Sequence, residues 1–234
     1  MVVLCPTSVV DMFNLTVQAV NISERFRTPV ILLADELVAH IREDVILQRD
    51  VDIFEPTVCD GFYDVGVSRA PCMKTFGDGS RPHYTGLVHD TGGLPSNEPR
   101  VQRELLTRLY EKLVGNEELV WEHDEVYCED AEVVVFSYGA VARSTWAAID
   151  MARERGIKAG MIAAKTLWPF PVHALNGLPE SVLDIIVPEM NMGQMEFEVR
   201  ATVGDHIRVT GVHRVDGDVI SPHEIYIAIR EVVT

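Results

Sequence analysis

From residue 130 to the end, short apolar runs alternate with amphipathic stretches, and this alternation constrains the chain more than any other feature. Strand-length runs fall at Glu132–Phe136, Lys158–Ala163, Val182–Val187 and Ile207–Thr210. Helical spacing occupies Ala140–Arg155, starts again at Val172–Leu175, and returns over Gly193–Val203 and Ser221–Val232. Strands that alternate with helices predict a parallel sheet whose crossover helices cover its faces. The region 129–234 is therefore expected to be a compact parallel α/β domain.

The first fifty residues carry the same grammar in a shorter form. Val2-Val3-Leu4 is a short apolar run that stops at Pro6-Thr7-Ser8, a strand end followed by a helix cap. Val9, Met12, Phe13, Thr16, Val17 and Val20 recur at helical spacing, and Thr28-Pro29 ends that helix. Val30-Ile31-Leu32-Leu33-Ala34 is continuous and apolar, as expected for a parallel strand covered on both faces. Two strands and one helix do not make a stable sheet. Residues 1–50 thus read as the second half of an α/β domain whose first half lies elsewhere.

Residues 51–128 differ. From Phe54 to Arg100 the sequence is rich in Gly, Pro, Asp and aromatics, and a long loop in a compact protein is usually functional or partner-bound. Helical spacing resumes through Val101, Leu105, Leu106, Leu109 and Leu113. The acidic stretch from Glu111 to Glu132 then reads as a solvated boundary between domains.

The formal charge of −16 makes phosphate backbones poor partners, so no nucleic acid is expected. Cysteines at 5, 59, 72 and 128 form no CxxC pair, which argues against a zinc or iron–sulfur site held by this chain alone. Scattered thiols, an opening without a basic leader and the lack of a bilayer-length apolar run predict a soluble cytoplasmic protein with no membrane partner.

Several residues invite a chemical reading beside a plainer one. Asp35-Glu36 closes a strand where α/β proteins bind ligands, yet such a pair also caps helices. Arg42 on the same segment can hold a carboxylate bidentately, or make a surface ion pair. His83, His89 and Asp90 include metal-ligand types, but without a fourth ligand a loop network satisfying backbone groups is the better reading, and no metal is expected. Ser137-Tyr138-Gly139-Ala140, ahead of a helix carrying Arg143, can cradle a phosphate or simply be a tight turn. Met190, Met192 and Met195 read as packing filler.

Particular blocks resemble the alpha subunits of 2-oxoacid:ferredoxin oxidoreductases. They are Pro6-Thr7-Ser8-Val9-Val10-Asp11-Met12, Arg27 to Glu36, His83-Tyr84-Thr85-Gly86-Leu87-Val88-His89-Asp90 with Gly93-Leu94-Pro95, Thr166 to Pro171, and Glu189-Met190-Asn191-Met192-Gly193-Gln194. The run Asp35-Glu36 to Glu43 and the His83–Asp90 block are most similar to the 2-oxoglutarate branch. The resemblance implies the C-terminal half of a thiamine-binding pyrimidine-type domain followed by a transketolase C-terminal-like domain. It implies oxidative decarboxylation of a 2-oxoacid to an acyl-CoA. Thiamine diphosphate with Mg would sit at the interface with partner subunits, and iron–sulfur clusters on other chains.

The partners it implies are a beta subunit with the diphosphate-binding domain, ferredoxin-like subunits, the 2-oxoacid and CoA. The family's substrate loop, its activating glutamate and its arginine- and glycine-rich turn have no counterpart here, so a further chain supplying the missing N-terminal half is expected. This chain alone is expected to be inactive, with no catalytic residue of its own. Asp35, Glu36, Arg42, His83, Thr85, His89 and Asp90 are its candidate substrate or interface residues. The alternatives are a pyruvate or branched-chain 2-oxoacid enzyme, or a non-catalytic assembly scaffold. Transketolase-like and lipoamide-linked enzymes share the C-terminal fold, but the Trp168–Pro171 and Glu189–Gln194 blocks argue against them.

Overall fold

The computed structural model of the chain describes residues 1–47, 50–55, 77, 79 and 83–233. Cys59 and Cys72 lie outside the described residues. In chain order the elements are β1 (Val2–Leu4), α1 (Val9–Phe26), β2 (Val30–Leu32), α2 (Glu36–His40), α3 (Pro99–Glu111), β3 (His123–Val126), β4 (Val133–Ser137), α4 (Val141–Arg153), β5 (Ala159–Ala164), β6 (Thr166–Trp168), α5 (Val172–Asn176), β7 (Asp184–Glu189), α6 (Gln194–Thr202), β8 (Arg208–His213) and α7 (Pro222–Val232). They divide into two compact units. One holds Met1, Val17–Val30 and the described part of Arg49–Val120. The other holds Val2–Thr16 and the described parts of Ile31–Gln48 and Trp121–Thr234.

The second unit is built on a five-stranded sheet of order β3-β5-β4-β7-β8. The four strands β4, β5, β7 and β8 are parallel, with Val135 opposite Met161 on one side and Ile186 on the other. Every residue of β4, β5 and β7 is buried, which is why their central runs are continuously apolar rather than alternating, with Ser137, Asp184 and Glu189 only at strand ends. Alternate residues serve two cores. Val134, Phe136, Ile162, Ile185 and Val187 pack with Leu167, Phe170 and Val199. Val133, Val135, Met161 and Ile186 pack with Ile149, Ile225 and Ile229. Each such side chain contributes about 1.5–3 kcal/mol by leaving water. Helix α7 begins with a reciprocal Ser221–Glu224 capping box and Pro222 in its first turn.

Two strands depart from the sequence reading. β3 lies inside the acidic stretch that reads as a connector and pairs antiparallel with β5. Its sequence hides it because it is an edge strand, where charges such as Asp124 and Glu125 guard against mispairing. β6 pairs antiparallel with β1, next to a cis Trp168–Pro169 bond, and is not among the strands read from the sequence.

β1, β2 and β6 form a small sheet of order β2-β1-β6. The Leu33 N–H donates to Leu4 O at 2.7 Å, and the Cys5 N–H to Lys165 O at 2.7 Å. β1 is largely buried, but β2 is not covered on both faces: Ile31 is 42% and Leu33 50% exposed. The expectation of a doubly buried strand therefore fails for β2.

The first unit carries the second half of α1 together with α3. Lys112, just past α3, is buried, and its ammonium donates to Arg27 O at 3.0 Å, at the end of α1. Burial, with Arg108 nearby, pushes that amine down to about 8. Asn21 links α1 to the following chain by donating to Asp52 O and accepting from the Phe54 N–H.

Candidate functional site

After β4 the chain crosses through α4 to β5 on one side, then returns to β7 on the other. The crevice beyond the carboxyl ends of β4 and β7 is thus the topological switch point, where open α/β sheets bind ligands. Here the protein's own side chains fill it.

On the β7 side, Glu189 is 1% exposed. Its Oε1 accepts from the Glu196 N–H at 2.7 Å, and its Oε2 from the Met195 N–H at 3.0 Å and the Tyr138 hydroxyl at 2.8 Å. The carboxylate thereby satisfies first-turn donors of α6 and offsets its dipole. Asn191 completes the frame: its amide donates to the Tyr138 oxygen at 2.6 Å, and its Oδ1 accepts from the Gly193 and Gln194 N–H groups. Burial first, and then the Glu189 carboxylate, push the Tyr138 phenol far up. The Glu189–Gln194 block is explained by this frame. Ser137, at the end of β4, is fully buried, and its hydroxyl has no hydrogen-bond partner among the described residues.

On the β4 side, Asp35 does two things at once. Its Oδ1 accepts from the Val38 N–H at 2.9 Å, capping α2, and its Oδ2 accepts from the Ala140 N–H at 2.6 Å, at the start of α4. Gly139 must be glycine here, because its φ is +58° and a Cβ would stand 2.7 Å from that carboxylate oxygen. The turn Ser137–Ala140 is therefore not an open phosphate cradle; an internal carboxylate holds the anion position. Cys5 lies beside this turn. Burial, and then Asp35, push its thiol up to about 12 despite a hydrogen bond from the Gly139 backbone.

The segment after Asp35 borders an open groove of about 400 Å³, lined by Asp35, Glu36, Leu37, His40, Ile41, Met190 and Gly217. Glu36 is exposed, and His40 Nδ1 is 2.9 Å from Glu36 O. Arg42 is exposed and does not line this groove. Its neighbour Glu43 makes the ion pair of this segment, with Arg143, and also accepts from the Val9 N–H at 3.1 Å. The lining carries two carboxylates and a histidine but no lysine or arginine, so an anion finds little to hold it there.

A cluster that sequence reasoning missed sits at Lys165. Its ammonium is 3.2 Å from Asp11 Oδ1 and 2.9 Å from Asp124 Oδ2, with its side chain 11% exposed. Asp11 Oδ2 accepts from the Thr7 hydroxyl at 2.5 Å and from the Thr7 N–H at 3.2 Å. The Pro6–Met12 block, a short turn running into the first turn of α1, is thus tied to the large sheet through one lysine. Only the apolar neighbours of Lys165 in sequence, Ala163-Ala164, hint at its burial.

His83, Thr85, His89 and Asp90 share one loop, apart in sequence from Asp35, Glu36 and Arg42. Asp90 Oδ1 accepts from the Gly92 and Leu94 N–H groups, the Leu87 N–H donates to the Thr85 hydroxyl, and His89 Nδ1 is 2.9 Å from Leu87 O. An isolated bridge joins His89 to Pro95. His83 is exposed, as are Tyr84, Leu87 and Leu94 at 46%, 65% and 57%. The loop is shaped by its own polar groups and presents apolar ones outward. Among the described residues no group of three His, Cys, Asp or Glu is placed to hold a metal ion.

Comparison with known proteins gives this arrangement a family. Residues 1–107 match the family described as "Pyruvate flavodoxin/ferredoxin oxidoreductase, thiamine diP-bdg", and residues 131–225 match "Pyruvate:ferredoxin oxidoreductase core domain II". The 2-oxoglutarate synthase subunit KorA of Methanothermobacter marburgensis is 36% identical over 96% of this chain and 62% of its own length. The chain belongs to the 2-oxoacid:ferredoxin oxidoreductase alpha-subunit family. A ketoisovalerate oxidoreductase subunit VorB from the same organism is 32% identical over 99% of this chain and 60% of its own length. The fold matches a 2-oxoglutarate:ferredoxin oxidoreductase from Magnetococcus marinus, solved with 2-oxoglutarate, coenzyme A and succinyl-CoA bound. The TM-score is 0.88 at 24% identity, over 100% of this chain and 42% of that one. The chain spans about three-fifths of the length of the curated relatives it matches.

Family membership brings thiamine diphosphate into question, and the described residues do not fit its diphosphate. The α4 N-terminus already holds Asp35, the α6 N-terminus already holds Glu189, and the adjoining groove is acidic. A diphosphate at either helix end would meet a carboxylate at close range.

Proposed function

We propose that this 2-oxoacid:ferredoxin oxidoreductase chain works as the alpha-type part of a 2-oxoglutarate:ferredoxin oxidoreductase. The assembly would decarboxylate 2-oxoglutarate oxidatively on thiamine diphosphate and pass the product to CoA. The observation that carries this is the 36% identity to 2-oxoglutarate synthase subunit KorA across 96% of the chain. The misfit of a diphosphate to the helix ends supports a division of labour. A beta-type partner would hold the diphosphate and Mg, other chains the iron–sulfur clusters, and a further segment the N-terminal half. No helix among the described residues is long and apolar enough to cross a membrane, and we place the assembly in the cytoplasm.

Within it, the exposed apolar side chains of the 83–96 loop suit an interface, with Thr85, His89 and Asp90 bonding the loop backbone and His83 exposed beside them. Asp35 is a structural clamp, and Glu36 lines the groove. Arg42, free of that groove, is a candidate contact for a partner or for the substrate carboxylate. The ketoisovalerate relative at 32% identity keeps a branched-chain 2-oxoacid as the second reading. The test is viologen-dye reduction by the complete co-expressed complex, with CoA and each 2-oxoacid in turn. Preference for 2-oxoglutarate is expected. A complex that turns over branched-chain acids and not 2-oxoglutarate overturns the reading.

A further inference from the structure

We propose that the outward apolar face of α3 pairs with α3 of a second copy of this chain, the two helices running antiparallel about a two-fold axis. Leu106, Leu109, Tyr110, Leu113 and Val114 recur at i, i+3, i+4, i+7 and i+8, the spacing of one helical face. The helical turn continues far enough to hold all five, since the Val114 N–H donates to Tyr110 O at 3.2 Å. That face is turned to solvent: Leu106, Leu109, Tyr110 and Val114 are 54%, 41%, 67% and 43% exposed. The helix is anchored by another side, through buried Val101 and, just past its end, buried Lys112. A helix that buries its lysine and shows water its richest apolar stripe is amphipathic the wrong way round for a lone unit. A contiguous exposed stripe of this kind marks an interaction surface.

Charge selects the occupant. The first turns of α3 carry Arg100 and Arg103, and Glu117 and Glu118 follow the turn at Gly115 beyond its end. Arg103 stands one turn before Leu106, beside the stripe, and Arg100 is bonded to Glu104 at 3.0 Å on the surface. Parallel pairing would set the two glutamate ends against each other. Antiparallel pairing sets the arginines of each copy beside the glutamates of the other and opposes the helix dipoles. An axis level with Arg108 places Leu106 of each copy opposite Tyr110 of the other. The stripe is thus self-complementary, as a two-fold interface requires. A helix of 13 residues is about 20 Å long, so the contact is small and the association reversible. The net charge of −16 opposes it, but at physiological ionic strength that repulsion reaches only about 8 Å.

Sedimentation velocity of the full chain, in about 0.15 M salt, is the test. A monomer–dimer equilibrium is expected, with a dissociation constant of roughly 10–100 μM. The double variant Leu106→Lys, Tyr110→Lys should weaken it at least about tenfold while leaving the far-UV circular dichroism unchanged. Leu183→Lys, at an exposed leucine of the other unit, should leave the dimer intact. Charge exchange tests the orientation without touching the stripe. The pair Arg100→Glu, Arg103→Glu and the pair Glu117→Lys, Glu118→Lys should each dimerise less than the native chain, and an equimolar mixture of the two should recover the native association. A chain that stays monomeric, a dimer indifferent to the stripe variant, or charge variants that the mixture does not restore overturns the proposal. So does a complete co-expressed complex that holds one copy of this chain and protects the 106–114 amides from exchange, because another subunit then covers the stripe. None of these outcomes touches the 2-oxoacid preference, so the proposed function stands or falls separately.

Discussion

Removing the Glu189 carboxylate should be among the most damaging single changes in the second unit, although it touches no apolar contact. In Glu189→Ala the Tyr138 hydroxyl and the Met195 and Glu196 N–H groups lose their acceptor together. A buried donor left unsatisfied costs about 1–3 kcal/mol. Part of that is recovered where water reaches the start of α6, so the expected sum is about 3–5 kcal/mol. For a chain of this length each kcal/mol moves the melting temperature by about 2–4 °C, giving a fall of roughly 6–20 °C. Glu189→Gln keeps one oxygen but loses the charge at the helix start, and should cost about 1–3 kcal/mol. Thermal melts followed by circular dichroism check both, with Glu180→Ala at an exposed carboxylate as the reference. Tyr138→Phe removes one of the three donors. Its double variant with Glu189→Ala should therefore cost less than the sum of the singles, by about 1 kcal/mol. Additive losses, or a Glu189→Ala cost within the ~0.5 kcal/mol of ordinary surface changes, would refute the buried frame.

Gly139→Ala should destabilise by about 1–2 kcal/mol from its left-handed backbone alone, and by more because a methyl would displace Asp35. Gly156→Ala, equally left-handed but with open space around it, isolates the first effect when their melts are compared. Ser137→Ala should be neutral or stabilising, since it deletes an unpartnered buried hydroxyl; a loss above ~1 kcal/mol on a denaturant titration would mean that this hydroxyl has a partner. Cys5 and Cys128, pushed up to about 12 and about 11 by burial, should resist iodoacetamide at pH 8 in the folded chain and react on unfolding, as read by peptide mass mapping. Burial works to raise Asp11, but the Thr7 hydroxyl and Lys165 outweigh it and hold the carboxyl below its ordinary 3.8. Its contribution is therefore present above that value and lost as pH falls through the lower folded one. Lys165, raised above 10.5 because Asp124 and Asp11 outweigh its burial, contributes below that value and loses its contribution as pH rises past the folded one. Lys165→Met should accordingly flatten both the acid and the alkaline ends of the stability profile.

The C-terminal architecture was legible because burial on both faces forces continuous apolar runs, and Val133–Phe136, Ala159–Ala164 and Ile185–Val187 obey that rule, with polar residues only at the ends of β4 and β7. β3 escaped because an edge strand needs only one apolar side and is protected by charge, so its sequence resembles a solvated linker. β6 escaped because Trp168 and the two prolines mask a three-residue strand whose existence depends on a distant partner, β1. The candidate site was legible in its blocks but not in its logic. Asp35 reads in sequence as either a ligand group or a helix cap, and Glu189 and Asn191 only as part of a family block; the structure shows each committed to backbone donors inside the protein. Lys165 gave no pattern signal, because the buried cation is specified by Asp11 and Asp124, two carboxylates that lie far apart in the chain.

The switch point of the large sheet is the place where this architecture ordinarily takes a ligand, and two carboxylates occupy it from within. Asp35 arrives from the N-terminal segment and Glu189 from the end of β7; each takes the N-terminus of a helix that would otherwise attract an anion. The same choice explains the neighbouring residues. Gly139 lets Asp35 approach, Tyr138 ties the β4 turn to Glu189, and Asn191 fixes the loop that starts α6. A sheet closed in this way is a rigid platform whose carboxyl end is shaped to hold the 35–41 segment in place. What remains open is the groove beside that segment and the uncovered strand that leads into it.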